Sequence, residues 1–500
     1  MELLDNLALG LHVALTWANL LYCLGGVALG TLIGVLPGIG PVATISMLLP
    51  LTFKLEPTSA LIMLAGIYYG AQYGGSTSAI LVNLPGEASS VVTCLDGYAM
   101  ARNGRAGHAL AVAAIGSFVA GCVATLALAA FAPPLAALAF KFGAAEYFSL
   151  MVLGLVAAVV LAQGSVVKAI AMIVLGVLLG LVGMDTTTGD QRYTFGLPEL
   201  SDGIGFVVVA MGLFGFAEII VNLERTGARD VLKQKLGKML PPKEDMRRAW
   251  KAIARGTGVG SILGVLPGGG AVLGSFASYM LEKRIAKDPS RFGKGAIEGV
   301  AGPESANNAA AQTSFIPMLT LGIPPNAVMA LMVGAMTIHG IQPGPQVMTQ
   351  QPELFWGMVV SMWIGNLFLV ILNLPMIGLW VRLLSVPYKY LYPTILLFCV
   401  IGIYSLQSSV VDVVLAAGFG LLGYVFIKLE CEAAPLLLGF VLGPMLEDNF
   451  RRALTIARGD LTVFVTRPLS ASLLALAAVL LLIVVAPAVQ RVRETAFRES

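Results

Sequence analysis

The stretch Gly34-Val35-Leu36-Pro37-Gly38-Ile39-Gly40 decides the fold, because it returns as Gly264-Val265-Leu266-Pro267-Gly268-Gly269-Gly270 in the second half of the chain. Each copy ends an apolar run with a proline and closely spaced glycines. These break the helical hydrogen-bond ladder inside sequence that is hydrophobic on both sides. An unpaired amide at membrane depth costs several kcal/mol, so such breaks persist only where protein or a polar cavity supplies partners. The repeat therefore predicts two halves of one internal site.

The surroundings of the two breaks are those of a membrane protein. The chain has 500 residues, of which 57% are hydrophobic and only 12% charged, a balance far outside that of soluble domains. With about 20 apolar residues needed per crossing, roughly ten to twelve membrane segments are expected, some crossing only partly. The net charge of +3 points to no polyanionic partner, and no nucleic-acid binding is expected. Cys23, Cys94, Cys122, Cys399 and Cys431 are scattered without metal-ligand spacing and read as small buried hydrophobes. No lysine or arginine precedes Lys54. No cleaved signal peptide is expected, and the first residues read as lying outside the cytoplasm.

After the first break, residues 42–53 and 60–75 are apolar segments, each short for a full span. The polar, glycine-rich patch Tyr73-Gly74-Gly75-Ser76-Thr77-Ser78 then leads through Asn83 to a second break at Pro85-Gly86, and residues 96–108 read as a loop. Ordinary spans are expected near 109–133, 147–162, 166–182 and 203–221, with an acidic, outward-facing segment at 183–202. Residues 224–255 carry ten Lys or Arg against four acids, which marks a cytoplasmic linker by the charge-bias rule. It divides the chain into a first membrane half, 1–223, and a second, 256–500.

The second half repeats the order of the first. Pro267-Gly268 is followed by a polar run, Pro303-Glu304-Ser305-Ala306-Asn307-Asn308, then Thr313-Ser314, and then a proline break at Leu321-Gly322-Ile323-Pro324-Pro325. Because the first copy begins beside a charge-poor terminus and the second beside a basic linker, the repeats are expected to be inverted in the membrane. The expected fold is an all-α polytopic membrane protein whose broken helices or re-entrant hairpins meet near mid-membrane. Further spans are expected at 355–374, 395–406, 411–427, 434–445 and 469–485. The arginines flanking the last one leave its orientation open.

Helices that stop inside a membrane present N-terminal amides and a partial positive charge, which suits a carboxylate ligand. Candidate substrate-binding residues are Pro37, Gly38, Gly40, Ser76, Thr77, Ser78, Asn83, Pro267, Gly268, Gly270, Ser305, Asn307, Asn308, Thr313 and Ser314. Their hydroxyls, amides and freed carbonyls can complete such a site or coordinate sodium. Glu304, with Asn307, is the candidate sodium ligand, since a carboxylate inside a transport domain suits a cation or proton. The competing reading is that the glycines only allow close helix packing and the hydroxyls bond back to their own helices. No catalytic residue is expected. His12, His108 and His339 are isolated in sequence, and no phosphate-binding loop of the Gly-x-x-x-x-Gly-Lys-Ser/Thr type occurs. An anion channel, a secondary carboxylate transporter working without a binding protein and, more remotely, an intramembrane enzyme remain alternatives.

With these motifs in place the chain resembles, over nearly its whole length, the large membrane subunit of the tripartite tricarboxylate transporter family, the TctA-type proteins. The resemblance is carried by residues 34–40, 73–85, 96–107, Phe195-Gly196, 264–270, 303–310, 321–324, Leu442-Gly443-Pro444-Met445-Leu446-Glu447 and Arg451-Arg452. Pro325 stands where the family pattern usually has glycine. The resemblance implies a multi-pass permease of the bacterial inner membrane that works with a small membrane subunit and a periplasmic solute-binding protein. It would import di- or tricarboxylates with a cation gradient, sodium or proton, and without a bound cofactor.

Overall fold

The computed structural model describes residues 2–36, 40–162, 165–185, 188–224, 238–266, 270–383, 393, 396–397, 399–404 and 408–485. Among these the architecture is helical, with one two-residue antiparallel ribbon that pairs Gly183–Met184 with Gln191–Arg192. The first half supplies α1 (Glu2–Ala14), α2 (Trp17–Val35), α3 (Pro41–Thr52), α4 (Pro57–Val82), α5 (Val91–Thr93), α6 (Ala106–Ala139), α7 (Ala144–Leu161), α8 (Val166–Gly180), α9 (Phe206–Ala210) and α10 (Ala217–Glu224). The second half supplies α11 (Lys243–Gly264), α12 (Gly270–Ile285), α13 (Glu298–Thr313), α14 (Phe315–Leu321), α15 (Ala327–Ile338), α16 (Gln346–Gln350) and α17 (Pro352–Asn373), followed by helices at Val410–Lys428, Ala433–Ile456 and Pro468–Val485. Four described helices are long and apolar enough to cross a membrane, at Trp17–Val35, Ala101–Ala139, Pro352–Asn373 and Val410–Lys428. Shorter apolar helices accompany them.

Both halves are built on a helix pair joined through bare backbone. In α2, Gly26, Gly30 and Gly34 recur every four residues and form one stripe. A Cβ on each would lie 2.3, 2.4 and 2.3 Å from the carbonyl oxygens of Met63, Ile67 and Ala71 on α4. In α11, Gly256, Gly260 and Gly264 recur in the same way, at the same offset that carries the first Pro-Gly motif to the second. Cβ atoms there would lie 2.2, 2.1 and 2.5 Å from the carbonyl oxygens of Gly302, Ala306 and Ala310 on α13. Lipid tails are as apolar as leucine, so helices in a membrane associate through this kind of small-residue contact rather than through hydrophobic burial. Close packing was the competing reading of these glycines, and it accounts for those upstream of the breaks.

The breaks leave the helices where the sequence indicates. α2 ends at Val35 and α3 starts at Pro41, capped by Gly40 in an extended conformation; α11 ends at Gly264 and α12 starts at Gly270. Pro37, Gly38, Pro267 and Gly268 themselves lie outside the described residues. The later breaks also correspond. Asn83 ends α4 with φ 56° and Gly322 ends α14 with φ 74°, both left-handed.

Two expectations need correction. The Tyr73–Val82 patch does not shorten the helix before it, since α4 runs unbroken for 26 residues. Thr77 and Ser78 donate to the carbonyls of Tyr73 and Gly75, and the single Ser76 hydroxyl proton has the Gln72 carbonyl and, closer, a carboxylate of α13 in reach, so the polar side chains are satisfied without ending the helix. Residues 96–108 are likewise helical rather than loop, with wide turns at Cys94–Tyr98 and Ala101–Arg105 leading into α6. The charge that suggested a loop is buried with partners. Asp96 is fully buried and accepts from the N–H groups of Gly295 and Ala296, both at 2.7 Å, and from the Tyr279 hydroxyl at 3.1 Å. The expected basic linker is also partly structured. Its residues 225–237 lie outside the described residues, but Lys243 to Arg255 form the first turns of α11, with Ala249, Ala252 and Ile253 buried. The span expected at 395–406 falls only in part on described residues.

The Glu447 and Arg451 motif meets the ribbon segment through ion pairs. Arg192, on the ribbon, pairs with Glu447 at 2.9 Å, and Arg451 pairs with Glu447 at 2.7 Å and with Asp185 at 3.0 Å. This network ties the 183–202 segment to the helix Ala433–Ile456.

Candidate functional site

Glu304 sits at the centre of the molecule on α13, which packs against α4, α6, α11 and α12. Its neighbours Ala306, Ala309, Ala310 and Ala311 are small, so surrounding helices close in and leave Glu304 1% exposed. The carboxylate is held by the other half of the chain. Ser76 on α4 donates to Oε2 at 2.5 Å, and Thr93 on α5 donates to Oε1. Hydrogen bonds to a charged acceptor are worth about 1.5–3 kcal/mol each, but two of them do not neutralise the charge. Neither salt bridges nor electrostatic contacts bring a lysine or arginine to Glu304 among the described residues.

The two asparagines beside it differ. Asn308 is a structural clamp, donating to the Ser117 hydroxyl of α6 at 2.7 Å and to the Glu304 carbonyl at 3.0 Å, with its own carbonyl oxygen unpartnered. Asn307 is fully buried, and neither atom of its amide has a hydrogen-bond partner. An amide with neither donor nor acceptor satisfied costs free energy unless something binds it, and such groups warrant a functional account.

Glu87 is a site residue that the sequence reading missed. Gly86 wedges between the two helices of the first pair, so that a Cβ there would lie 2.0 Å from the Gly34 carbonyl oxygen and 2.6 Å from the Gly75 Cα. This close approach brings the next residue, Glu87, against the site. The Ser89 hydroxyl lies 2.5 Å from Glu87 Oε1 and 3.0 Å from Gln72 Oε1. The Glu87 carboxyl is near enough to Asn307, Gln72 and Glu304 to interact electrostatically with each, although Asn307 is outside hydrogen-bond geometry. A signal was present. Leu84-Pro85 matches Ile323-Pro324, which puts Glu87 opposite Asn326, and each of the two residues caps the helical turn that follows it.

The remaining candidates fall into three groups. Ser76, Asn307, Asn308 and Glu304 come together. Thr77 lines a small cavity beside them with Tyr73, Ser76, Leu110, Ser117 and Asn373, with room for about one water. Ser305, Thr313 and Ser314 are buried but donate to Ala301, Ala309 and Ala311 of their own segment, as the competing reading has it, and Ser314 also lies against the Tyr68 hydroxyl of α4. Ser78 also reaches the Gly34 carbonyl at 3.3 Å, joining α4 to α2. Asn83 is an exposed helix cap, Gly40 caps α3, and Gly270 packs on Gly264 across the second break. Among the described residues no group of three or more His, Cys, Asp and Glu converges as a transition-metal site would require.

The family model described as "Tripartite tricarboxylate transporter TctA family" matches residues 20–438. The chain belongs to the TctA family. Membership makes it the large subunit of a tripartite transporter and a multi-pass membrane protein, and the family is one of transporters rather than enzymes. It is similar to the "Uncharacterized 52.8 kDa protein in TAR-I ttuC' 3'region" of Agrobacterium vitis, with 60% identity over 499 residues, covering 100% of this chain and 99% of that one. It is also similar to the "Uncharacterized protein in TAR-II ttuC' 3'region" of the same organism, with 62% identity over 240 residues, covering 48% of this chain and 99% of that one. No solved structure matches the chain.

Proposed function

We propose that this TctA-family chain is the permease of a binding-protein-dependent secondary transporter. It imports a di- or tricarboxylate across the bacterial inner membrane, driven by a cation gradient, with sodium as the coupling ion. The two halves act as inverted repeats, and the breaks around Pro37-Gly38 and Pro267-Gly268 meet near mid-membrane to hold the carboxylate on helix ends. A small membrane subunit and a periplasmic solute-binding protein complete the assembly.

The observation that supports this reading most is the Glu304 carboxylate, buried on the second half, hydrogen-bonded by Ser76 and Thr93 of the first, and flanked by the unpartnered Asn307 amide. A hard cation needs oxygen ligands of this kind. The donors available, a carboxylate, an amide carbonyl and hydroxyls, fit sodium. Because the ligands come from both halves, a movement of one half against the other would make or break the site, which is what alternating access requires. An anion channel is the second reading, and the buried carboxylate argues against it, since a fixed negative charge repels a carboxylate substrate unless a cation accompanies it.

The test is uptake in proteoliposomes that contain both membrane subunits and the binding protein, with candidate dicarboxylates and tricarboxylates and imposed sodium or pH gradients. Saturable uptake that requires the binding protein and follows the sodium gradient is expected. Robust uptake by the large subunit alone, or conduction without a gradient requirement, would contradict the proposal.

A further inference from the structure

The site contains two carboxylates, and the cation-coupled reading above uses only one. Glu304 and Glu87 lie in separate hydrogen-bond shells, Glu304 with Ser76 and Thr93, Glu87 with Ser89. The amide of Asn307, fully buried and unpartnered, lies beside Glu87. No lysine, arginine or histidine pairs with either carboxylate among the described residues. Glu304 is sealed, whereas Glu87 is only partly buried, so the pair runs from an accessible position to an enclosed one.

We infer that the transporter binds two sodium ions per cycle, one at Glu304 and a second at Glu87, where the Glu87 carboxylate, Asn307 Oδ1 and Gln72 Oε1 supply its ligands. Two negative charges in a low-dielectric interior repel each other and are costly to desolvate, so both must be cancelled before the site can close. Separate hydrogen-bond shells place the charges apart rather than converging them on one point, which favours two monovalent ions over a single divalent one. The oxygen-only ligand set selects a hard cation. The partly exposed Glu87 fills from solvent, and the enclosed Glu304 is reached past it. Two bound sodium ions cancel the two glutamate charges, so that the closed ion sites carry no net charge.

The inference rests on the cation-coupled reading for its place in the cycle, but its first test, sodium binding at equilibrium, does not use carboxylate uptake. Equilibrium binding of radioactive sodium to the purified full-length chain in lipid nanodiscs is expected to saturate at two ions. It should fall to one in Glu87→Gln, one in Glu304→Gln and none in the double variant, while Glu87→Asp keeps two. A wild-type stoichiometry of one or none, a Glu87→Gln variant that still binds two, or displacement of all sodium by a single calcium or magnesium ion would overturn it. Should Glu87→Gln not survive purification, the sodium-to-carboxylate flux ratio of the wild-type assembly decides: two supports the inference, one overturns it. Uptake that ignores sodium altogether while the chain binds two ions would instead overturn the coupling proposed above.

Discussion

Ser76 and Glu304 are 228 residues apart in the chain, and their side chains meet at 2.5 Å in the buried centre of the protein. The contact joins α4 of the first half to α13 of the second. Ser76→Ala removes one hydrogen bond to a charged acceptor, worth about 1.5–3 kcal/mol, or roughly a 10- to 100-fold loss. The loss should appear as weaker sodium dependence of uptake per folded molecule. Thr93→Val should act in the same direction. Ser305→Ala, which removes a bond to its own helix, should change uptake by less than about 3-fold, since such local bonds add little.

Asn307 and Asn308 should respond differently to leucine. Asn308 clamps Ser117, so Asn308→Leu strands a buried hydroxyl and should lower stability by about 1–3 kcal/mol along with transport. Asn307 makes no geometrically formed hydrogen bond, only a looser electrostatic contact with Glu87. Asn307→Leu should leave thermal stability near wild type and abolish expression-corrected uptake. Normal corrected activity in Asn307→Leu would remove this amide from the site.

The glycine stripes give a purely structural prediction. Gly30→Ala and Gly260→Ala drive a methyl into a backbone oxygen at 2.4 and 2.1 Å, and overpacking of this kind costs about 1–3 kcal/mol or more. Gly25 and Gly258 have open space where a Cβ would go. Their alanine variants should be neutral or stabilising by about 0.5–1 kcal/mol through helix propensity. Thermal unfolding of the four variants in one detergent separates the pairs.

Asp96 should be a stability residue rather than a transport residue. Asp96→Ala leaves the N–H groups of Gly295 and Ala296 and the Tyr279 hydroxyl without their acceptor. Each unsatisfied buried group costs about 1–3 kcal/mol, so a large drop in melting temperature is expected. Tyr279→Phe removes one bond and should cost about 1 kcal/mol. Equal melting temperatures for Asp96→Ala and wild type would show that this buried carboxylate is not the fastening it resembles.

The repeated break was legible in the sequence because proline and glycine within apolar runs have few structural meanings, and the corresponding helix ends fall at Val35 and Gly264. Glu304 and Asn307 were legible as polar residues in a hydrophobic chain. Direction was not legible. Thr313 and Ser314 look as site-like in sequence as Ser76, yet of the three only Ser76 reaches the buried carboxylate, because rotation about a helix axis is fixed by packing that composition does not record. Glu87 was hidden by its place after Pro85-Gly86, which reads as a turn, and Asp96 by partners that lie far along the chain. Both become visible only when the two halves are aligned or folded together.

The measurement that tests the shared site most directly is sodium-driven carboxylate uptake by the complete reconstituted assembly carrying Glu304→Gln, compared with wild type at equal amounts of folded protein. Glutamine keeps the size of the side chain and one acceptor oxygen for Ser76 or Thr93, but removes the charge that a cation would neutralise. Uptake should fall at least about 100-fold, consistent with the loss of roughly 3 kcal/mol of charge-dependent interaction, while melting temperature and yield stay near wild type. Wild-type uptake in Glu304→Gln, with an unchanged dependence on sodium, would contradict the assignment of this carboxylate as the coupling centre.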